Sequence, residues 1–257
     1  MNEAVNQGGV NVAVDDRGLA TVEFFHPLSN SLPGKVLAKL ANTITELGEN
    51  DAVKLILVKS AGERAFCAGA SFDELISIED LDTGKVFFSG FANVINAMRK
   101  CPKLIIGRVQ GKAVGGGVGL ASSVDYCYAT KHAAVKLSEL AVGIGPFVVG
   151  PACERKLGLA GMSDLAINAT EWRSAEWAFH RGLYNDIFED AAAMDEAIEA
   201  LAGRLLTKSV PAMRGLKKVF WEGTEHWDEL LAERAAISGE LILSKEAKDA
   251  IGAFKSK

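Results

Sequence analysis

The sequence predicts an α/β fold whose core strands pair in parallel, and three observations carry that expectation. Short apolar runs alternate with helical periodicity through the first half of the chain. Two stretches rich in glycine and alanine follow strands in that half. Beyond about residue 191 the composition turns to Ala, Leu, Glu and Lys, which favours consecutive helices.

The elements follow in order. Val10–Val14 alternates apolar and small residues, and Ala20–Phe25 follows a turn at Asp15-Asp16-Arg17-Gly18, so the two form a hairpin. From Lys35 to Leu47, the residues Leu37, Leu40, Ala41, Ile44 and Leu47 recur at helical spacing. Val53–Val58 is an apolar run of buried-strand type. Phe91, Val94, Ile95 and Met98 mark a second helix face, ended by Cys101-Pro102, and Leu104–Val109 makes the next strand. From Ala191 onward, Met194, Ile198, Leu201 and Leu205 form a stripe, and Pro211 separates that helix from another. No Gly, Ser or Pro linker intervenes, so residues 1–195 read as the core and 196–257 as its helical extension.

Composition removes several classes of function. The chain has 257 residues with 28 Lys+Arg against 33 Asp+Glu, a formal net charge of −5, and no basic footprint for nucleic acid. No apolar run reaches the ~18–20 residues of a membrane span. Met1–Val5 lacks the basic and apolar regions of a secretory signal, so a cytoplasmic protein is expected. Cys67, Cys101, Cys127 and Cys153 are scattered, never as a CxxC pair, and read as buried free thiols. His26, His132, His180 and His226 are equally dispersed, so no metal site is expected.

Glycine is the outlier, with 26 residues, six of them between Gly107 and Gly119. The two small-residue stretches are Phe66–Leu75 (FCAGASFDEL) and Gly111–Ala121 (GKAVGGGVGLA), each after a strand. Glycines there permit tight helix–strand packing. At a strand-to-helix turn they also leave backbone N–H groups open to a ligand, where the helix dipole favours negative charge. Two such loops converging on one carbonyl oxygen would make an oxyanion hole. Phosphate loops are excluded on their own terms. Gly115 and Gly117 supply GxG, but Leu120 stands where the third glycine of a dinucleotide fingerprint belongs, and no GK[ST] follows.

The ordered run of FCAGASFDEL, QGKAVGGGVGLASSVDY (Gln110–Tyr126) and VKLSELAVGIGP (Val135–Pro146) resembles the crotonase superfamily, the enoyl-CoA hydratase/isomerase group. The stretch Leu157–Phe188 and the terminal AIGAFKSK are similar to that family as well. The resemblance implies a spiral of ββα units with C-terminal helices that build homotrimers, often paired into homohexamers. It implies acyl-CoA thioesters as substrates, with CoA carried by the substrate and no further cofactor. The enolate would be held at the thioester oxygen by the amides of Ala70 and Gly116. The backbone around Ala68 would meet the adenine, the His26–Ser31 loop the nucleotide, and Gly69, Ser71, Phe72, Gly115, Ser138 and Phe147 the rest of the thioester.

The carboxylates then bear on the reaction. Hydratases of this family are expected to use two glutamates, one closing a GGGxE motif and one in a later PE motif. Here the first position is Gly119, whereas the second keeps its acid as Ser138-Glu139. A single base beside an oxyanion hole suits Δ3,Δ2-enoyl-CoA isomerisation, with Glu139 taking a proton from one carbon and returning it to another. The alternatives are 2-enoyl-CoA hydration with a second group supplied elsewhere, decarboxylation, thioester hydrolysis, or a non-catalytic acyl-CoA-binding homologue. Ser138 either orients a water or fills space, and Glu154 either lines the pocket or sits on the surface near Arg155 and Lys156. Ser71 departs from the family's usual aspartate. Phe87 and Phe88 suggest an apolar lining, Val148 helps Phe147 shape the acyl pocket, and Trp172 and Trp177 read as packing or subunit contacts. Lys217, Lys218 and Lys255 are candidates for the CoA phosphates.

Overall fold

The chain repeats one pattern: a strand in a six-stranded sheet, a short strand in a smaller sheet, then a helix. The computed structural model describes residues 8–255. In the first turn β1 (Gly9–Val14) and β2 (Leu19–Phe25) form the expected antiparallel hairpin, with Val12 opposite Val22. The Asp15 carboxylate closes it by accepting the Leu19 N–H at 2.8 Å. Next come β3 (Ser31–Leu32) and α1 (Gly34–Glu49). The second turn has β4 (Leu55–Ser60), β5 (Ala65–Cys67), β6 (Gly69–Ala70), α2 (Phe72–Ile76) and α3 (Leu81–Lys100). The third has β7 (Leu104–Val109), β8 (Lys112–Val114) and α4 (Gly116–Ser123). The fourth has β9 (Tyr126–Thr130), β10 (Val135–Lys136), a 3-10 turn at Glu139–Val142 and α5 (Gly150–Ile167).

After α6 (Ala175–His180), β11 (Asp186–Phe188) completes the large sheet in the order β1-β2-β4-β7-β9-β11. Only its β1–β2 pair is antiparallel. The small strands pair in parallel as β10-β8-β5 and β3-β6.

Side chains alternate across the large sheet, and each face has its own cover. Ile56 and Val58 of β4 join α1 (Leu40, Ile44) and α3 (Val94, Ile95, Met98) in the main core. Leu55 and Leu57 face the other way, under Met194, Ile198 and Ala202 of α7 (Ala191–Leu206). The boundary expected at 195/196 falls inside that helix. Then follow α8 (Val210–Phe220), with Pro211 in its first turn and Ser209 as its cap, α9 (Trp227–Leu241) and α10 (Lys245–Lys255). Helix α9 lies so close on α3 that a Cβ on Gly84 would stand 2.9 Å from the Gly239 Cα.

Two element boundaries differ from expectation, each for a local reason. The strand expected at Val53–Val58 runs Leu55–Ser60, because the Val53 N–H bonds Asn50 O and the Lys54 N–H bonds Gly18 O in the preceding turn. The helix marked by Phe91–Met98 begins ten residues earlier, at Leu81, where Asp80 and Thr83 form a reciprocal capping box. All four cysteines are buried and unpaired, as expected.

Candidate active site

The small strands and the 3-10 turn converge on one cavity of about 780 Å³. Gly115, at the entrance to α4, has φ 53° and ψ −117°, a conformation that glycine adopts without penalty. It reverses the chain so that α4 begins at Gly116 facing the cavity. As the first residue of the helix, Gly116 has no carbonyl one turn behind it to accept its N–H.

The second loop is positioned by β3. Ser31 Oγ donates to Ala70 O at 2.8 Å, and the Ser71 N–H donates to Leu32 O at 3.0 Å. Successive N–H groups of an extended chain point to opposite edges, so that of Ala70 faces away from β3. The loops abut: a Cβ on Gly69 would lie 3.9 Å from Gly116 N. Ala68, Gly69, Ala70, Gly115 and Gly116 all line the cavity.

The only other glycine of the Gly107–Gly119 cluster to approach this arrangement is Gly117, whose added Cβ would meet Cys67 O at 2.5 Å. Gly107 and Gly111 are packing residues, pressed on Val124 and on Arg64 O. The expectation that the cluster as a whole exposes backbone to a ligand therefore narrows to Gly115 and Gly116.

Glu139 opens the 3-10 turn, and its carboxylate lies against the loop, such that a Cβ on Gly115 would stand 2.9 Å from Oε1. Its Oε2 is shielded from solvent and has no hydrogen-bond partner among the described residues. Loss of hydration disfavours the charged form, and this burial pushes the Glu139 carboxyl up to about 7. The other carboxylate on the lining is Asp73, exposed at the rim.

Gly119 faces packed side chains. A Cβ there would meet Val149 Cγ1 at 2.5 Å and Ile95 Cδ1 at 3.7 Å, so Val149 occupies the space a longer side chain would need. Val149 is 4% exposed and also lines the cavity.

Of the remaining expected binding residues, Phe72, Ser138 and Phe147 line the cavity, together with Phe87, Phe88 and Val148. Ser71 does not: it is buried, and its Oγ caps α2 by accepting the Glu74 N–H at 3.3 Å. Glu154 lies exposed on α5, outside the lining. In the His26–Ser31 loop, Leu28 and Ser31 reach the cavity. Asn30, at φ 56°, holds that loop by donating to Ala61 O and Ala65 O at 2.9 and 3.0 Å.

One of the three lysines differs from expectation. Lys217 is buried, and its ammonium bonds both Asp125 oxygens at 2.9 and 2.8 Å, so it has no free charge for a phosphate. Trp221 Nε1 and the Ile105 N–H donate to the same carboxylate, which makes this a structural cluster. Lys218 is exposed on α8 away from the cavity, and the Lys255 side chain lies outside the described residues.

The lining cation is instead Lys136, whose ammonium stands 4.6 Å from the Trp172 ring, with Lys112 at 4.7 Å. Sequence reasoning also missed Phe91, Val149, Ala250 and Ala253. Their contribution depends on tertiary contacts and has no local signal. Among the described residues no cluster of three metal-ligating side chains occurs, and no helix is long and apolar enough to cross a membrane.

A spiral of strand–strand–helix turns around a cavity lined by two small-residue loops and the Glu139 carboxylate defines the crotonase class of fold. The enoyl-CoA hydratase/isomerase family model matches residues 15–257, and the chain belongs to that family. It is 28% identical over 250 residues to a short-chain-enoyl-CoA hydratase of Clostridium acetobutylicum, covering 96% of this chain and 95% of that one. It is 26% identical to a crotonyl-CoA hydratase of Syntrophomonas wolfei, over 89% of this chain and 87% of the relative. Among solved structures, an enoyl-CoA hydratase of Bacillus halodurans superposes with TM-score 0.86 at 19% identity, covering 95% of this chain and 99% of that one. One from Mycobacterium smegmatis superposes with TM-score 0.79 at 26% identity, over 96% of each.

Proposed function

We propose that the chain isomerises the double bond of enoyl-CoA thioesters, with Glu139 as its single acid/base. The observation that carries this reading is the Glu139 carboxyl, raised to about 7 with its Oε2 unpartnered, beside the two small-residue loops. In a Δ3-enoyl thioester, Glu139 removes a proton from C2, and the electron pair delocalises onto the thioester oxygen as a dienolate. The Ala70 and Gly116 amides receive that charge, each worth about 3–4 kcal/mol in such a hole. The N-terminus of α4 adds its dipole. Glu139 then returns the proton to C4, and the Δ2 product leaves with no net change in the enzyme. CoA arrives with the substrate, and the reaction needs no further cofactor.

Hydration is the second reading, favoured by the names of the relatives, several of which are hydratases. It needs a second group to hold the water. Gly119 offers none, and Val149 blocks its replacement. Ser138 is the polar lining residue next to Glu139. Turnover of a 3-enoyl-CoA is therefore compared with that of the matching 2-enoyl-CoA. Faster isomerisation of the first supports the proposal, and efficient hydration of the second overturns it. An acyl-CoA-binding protein without activity would bind both and convert neither.

We further infer cytoplasmic action as a homotrimer or homohexamer. Leu216, Val219 and Phe220 form an exposed apolar strip on α8 that supports self-association.

A further inference from the structure

Much of the cavity lining is apolar. Phe72, Leu75, Phe88, Val142, Ile144 and Phe147 line it. The lining cation is Lys136, whose ammonium is engaged with the Trp172 ring, and no arginine or histidine contributes. An anionic acyl end would lose its hydration there with no free cation among the described lining residues to compensate.

Helix α10 supplies part of the wall. Ala250 and Ala253 lie three residues apart, hence on one face of the helix, and both line the cavity. The helix is fixed by burial of Ala247 and Ile251 in a satellite core with Ile144 and Ile242. Its approach is set by Gly143, at φ 78°, where a Cβ would stand 2.6 Å from the Ala247 Cα. Larger side chains at 250 and 253 would fill the space that two alanines leave.

We propose that this chain selects an uncharged apolar acyl group longer than butyryl, with Ala250 and Ala253 of α10 as the residues that set its length. The proposal rests on the acyl-CoA reading above and adds the class of acyl group. Buried methylenes contribute a nearly constant increment, so affinity should rise with chain length until the chain meets α10. That increment is about fourfold per methylene, the equivalent of ~0.8 kcal/mol.

The Glu139→Gln protein is titrated calorimetrically with the saturated ligands butyryl-, hexanoyl-, octanoyl-, decanoyl- and glutaryl-CoA, which have no double bond to move. Affinity is expected to climb from butyryl- to octanoyl-CoA, with glutaryl-CoA below butyryl-CoA. Ala250→Trp in the same background is expected to cut the ratio of decanoyl- to butyryl-CoA affinity tenfold or more. Ala253→Trp, at an exposed position, is read alongside it and decides the matter if the first variant does not fold. Affinity that is flat with length, preference for glutaryl-CoA, or a ratio that neither folded variant moves would overturn the proposal. Failure of every acyl-CoA of the series to bind would overturn the acyl-CoA reading, and this inference with it.

Discussion

Glu139 holds its proton near neutrality because burial strips hydration from its carboxyl, and the consequences for rate and for stability have opposite signs. As a general base it works deprotonated, so kcat/KM should rise with pH and level off above about 7. Replacing it with glutamine should lower isomerase turnover by ~10²-fold or more and abolish that inflection. Steady-state kinetics between pH 5 and pH 9 measure both.

For stability, the folded protein binds this proton more tightly than the unfolded chain, so stability falls as pH rises from about 4.5 to about 7 and stays lower above it. The cost of the buried charge is about 3 kcal/mol at pH 9. Glu139→Gln should thus be close to wild type in urea unfolding at pH 5 and more stable at pH 9. Equal stability differences at the two pH values would refute the buried-charge account. Gly119→Glu makes the complementary point. It should not create a hydratase, because its Cβ enters Val149 at 2.5 Å, and overpacking costs typically ~1–3 kcal/mol before the added charge is counted. The identities of Glu139 and Gly119 were legible in the sequence, but what faces Gly119 was not. Val149 lies thirty residues on, and only the folded chain brings the two together.

Among the elements, the 3-10 turn and α10 depend on one another. Gly143 ends the turn by donating to Glu139 O and Leu140 O, and it accepts the close approach of Ala247. Gly143→Ala adds left-handed backbone strain of about 1–2 kcal/mol and drives a methyl into a neighbouring backbone. Amide exchange in α10 should accelerate and turnover should fall, whereas exchange in the large sheet should stay as it was. Sequence periodicity located the strands and helices that bury a continuous face, such as β7 and α1, because burial enforces a period. It did not locate β3, β5, β6, β8 or β10, which are two or three residues long. Those short strands carry the two amide loops, so the elements closest to the chemistry had the weakest signal. The family resemblance supplied those positions instead.

For the whole molecule, the large sheet separates two different roles. One face packs on the helices that enclose the cavity, and the other is covered by α7 with Met194 and Ile198. The buried Lys217–Asp125–Trp221 cluster joins α8 to the start of β9 and to β7, so the last third of the chain is anchored by polar as well as apolar contacts. The sequence showed that this third was helical, but the burial of Lys217 could not be read from residue type. With α8 fixed in this way, its exposed Leu216, Val219 and Phe220 are presented on a rigid surface. Light scattering should return three or six times the 27.3 kDa chain mass. Charged replacements at Val219 and Phe220 should shift the mass toward one copy, and an unchanged mass would place the interface elsewhere.

The interlock of Gly119 with Val149 also couples two positions of the chain. A side chain placed at position 119 alone collides with Val149, and a smaller residue at 149 alone leaves a void that nothing fills. Only the pair changed together would open the space, so the two sites should be non-additive: the double variant should lose less stability than the sum of the two single ones.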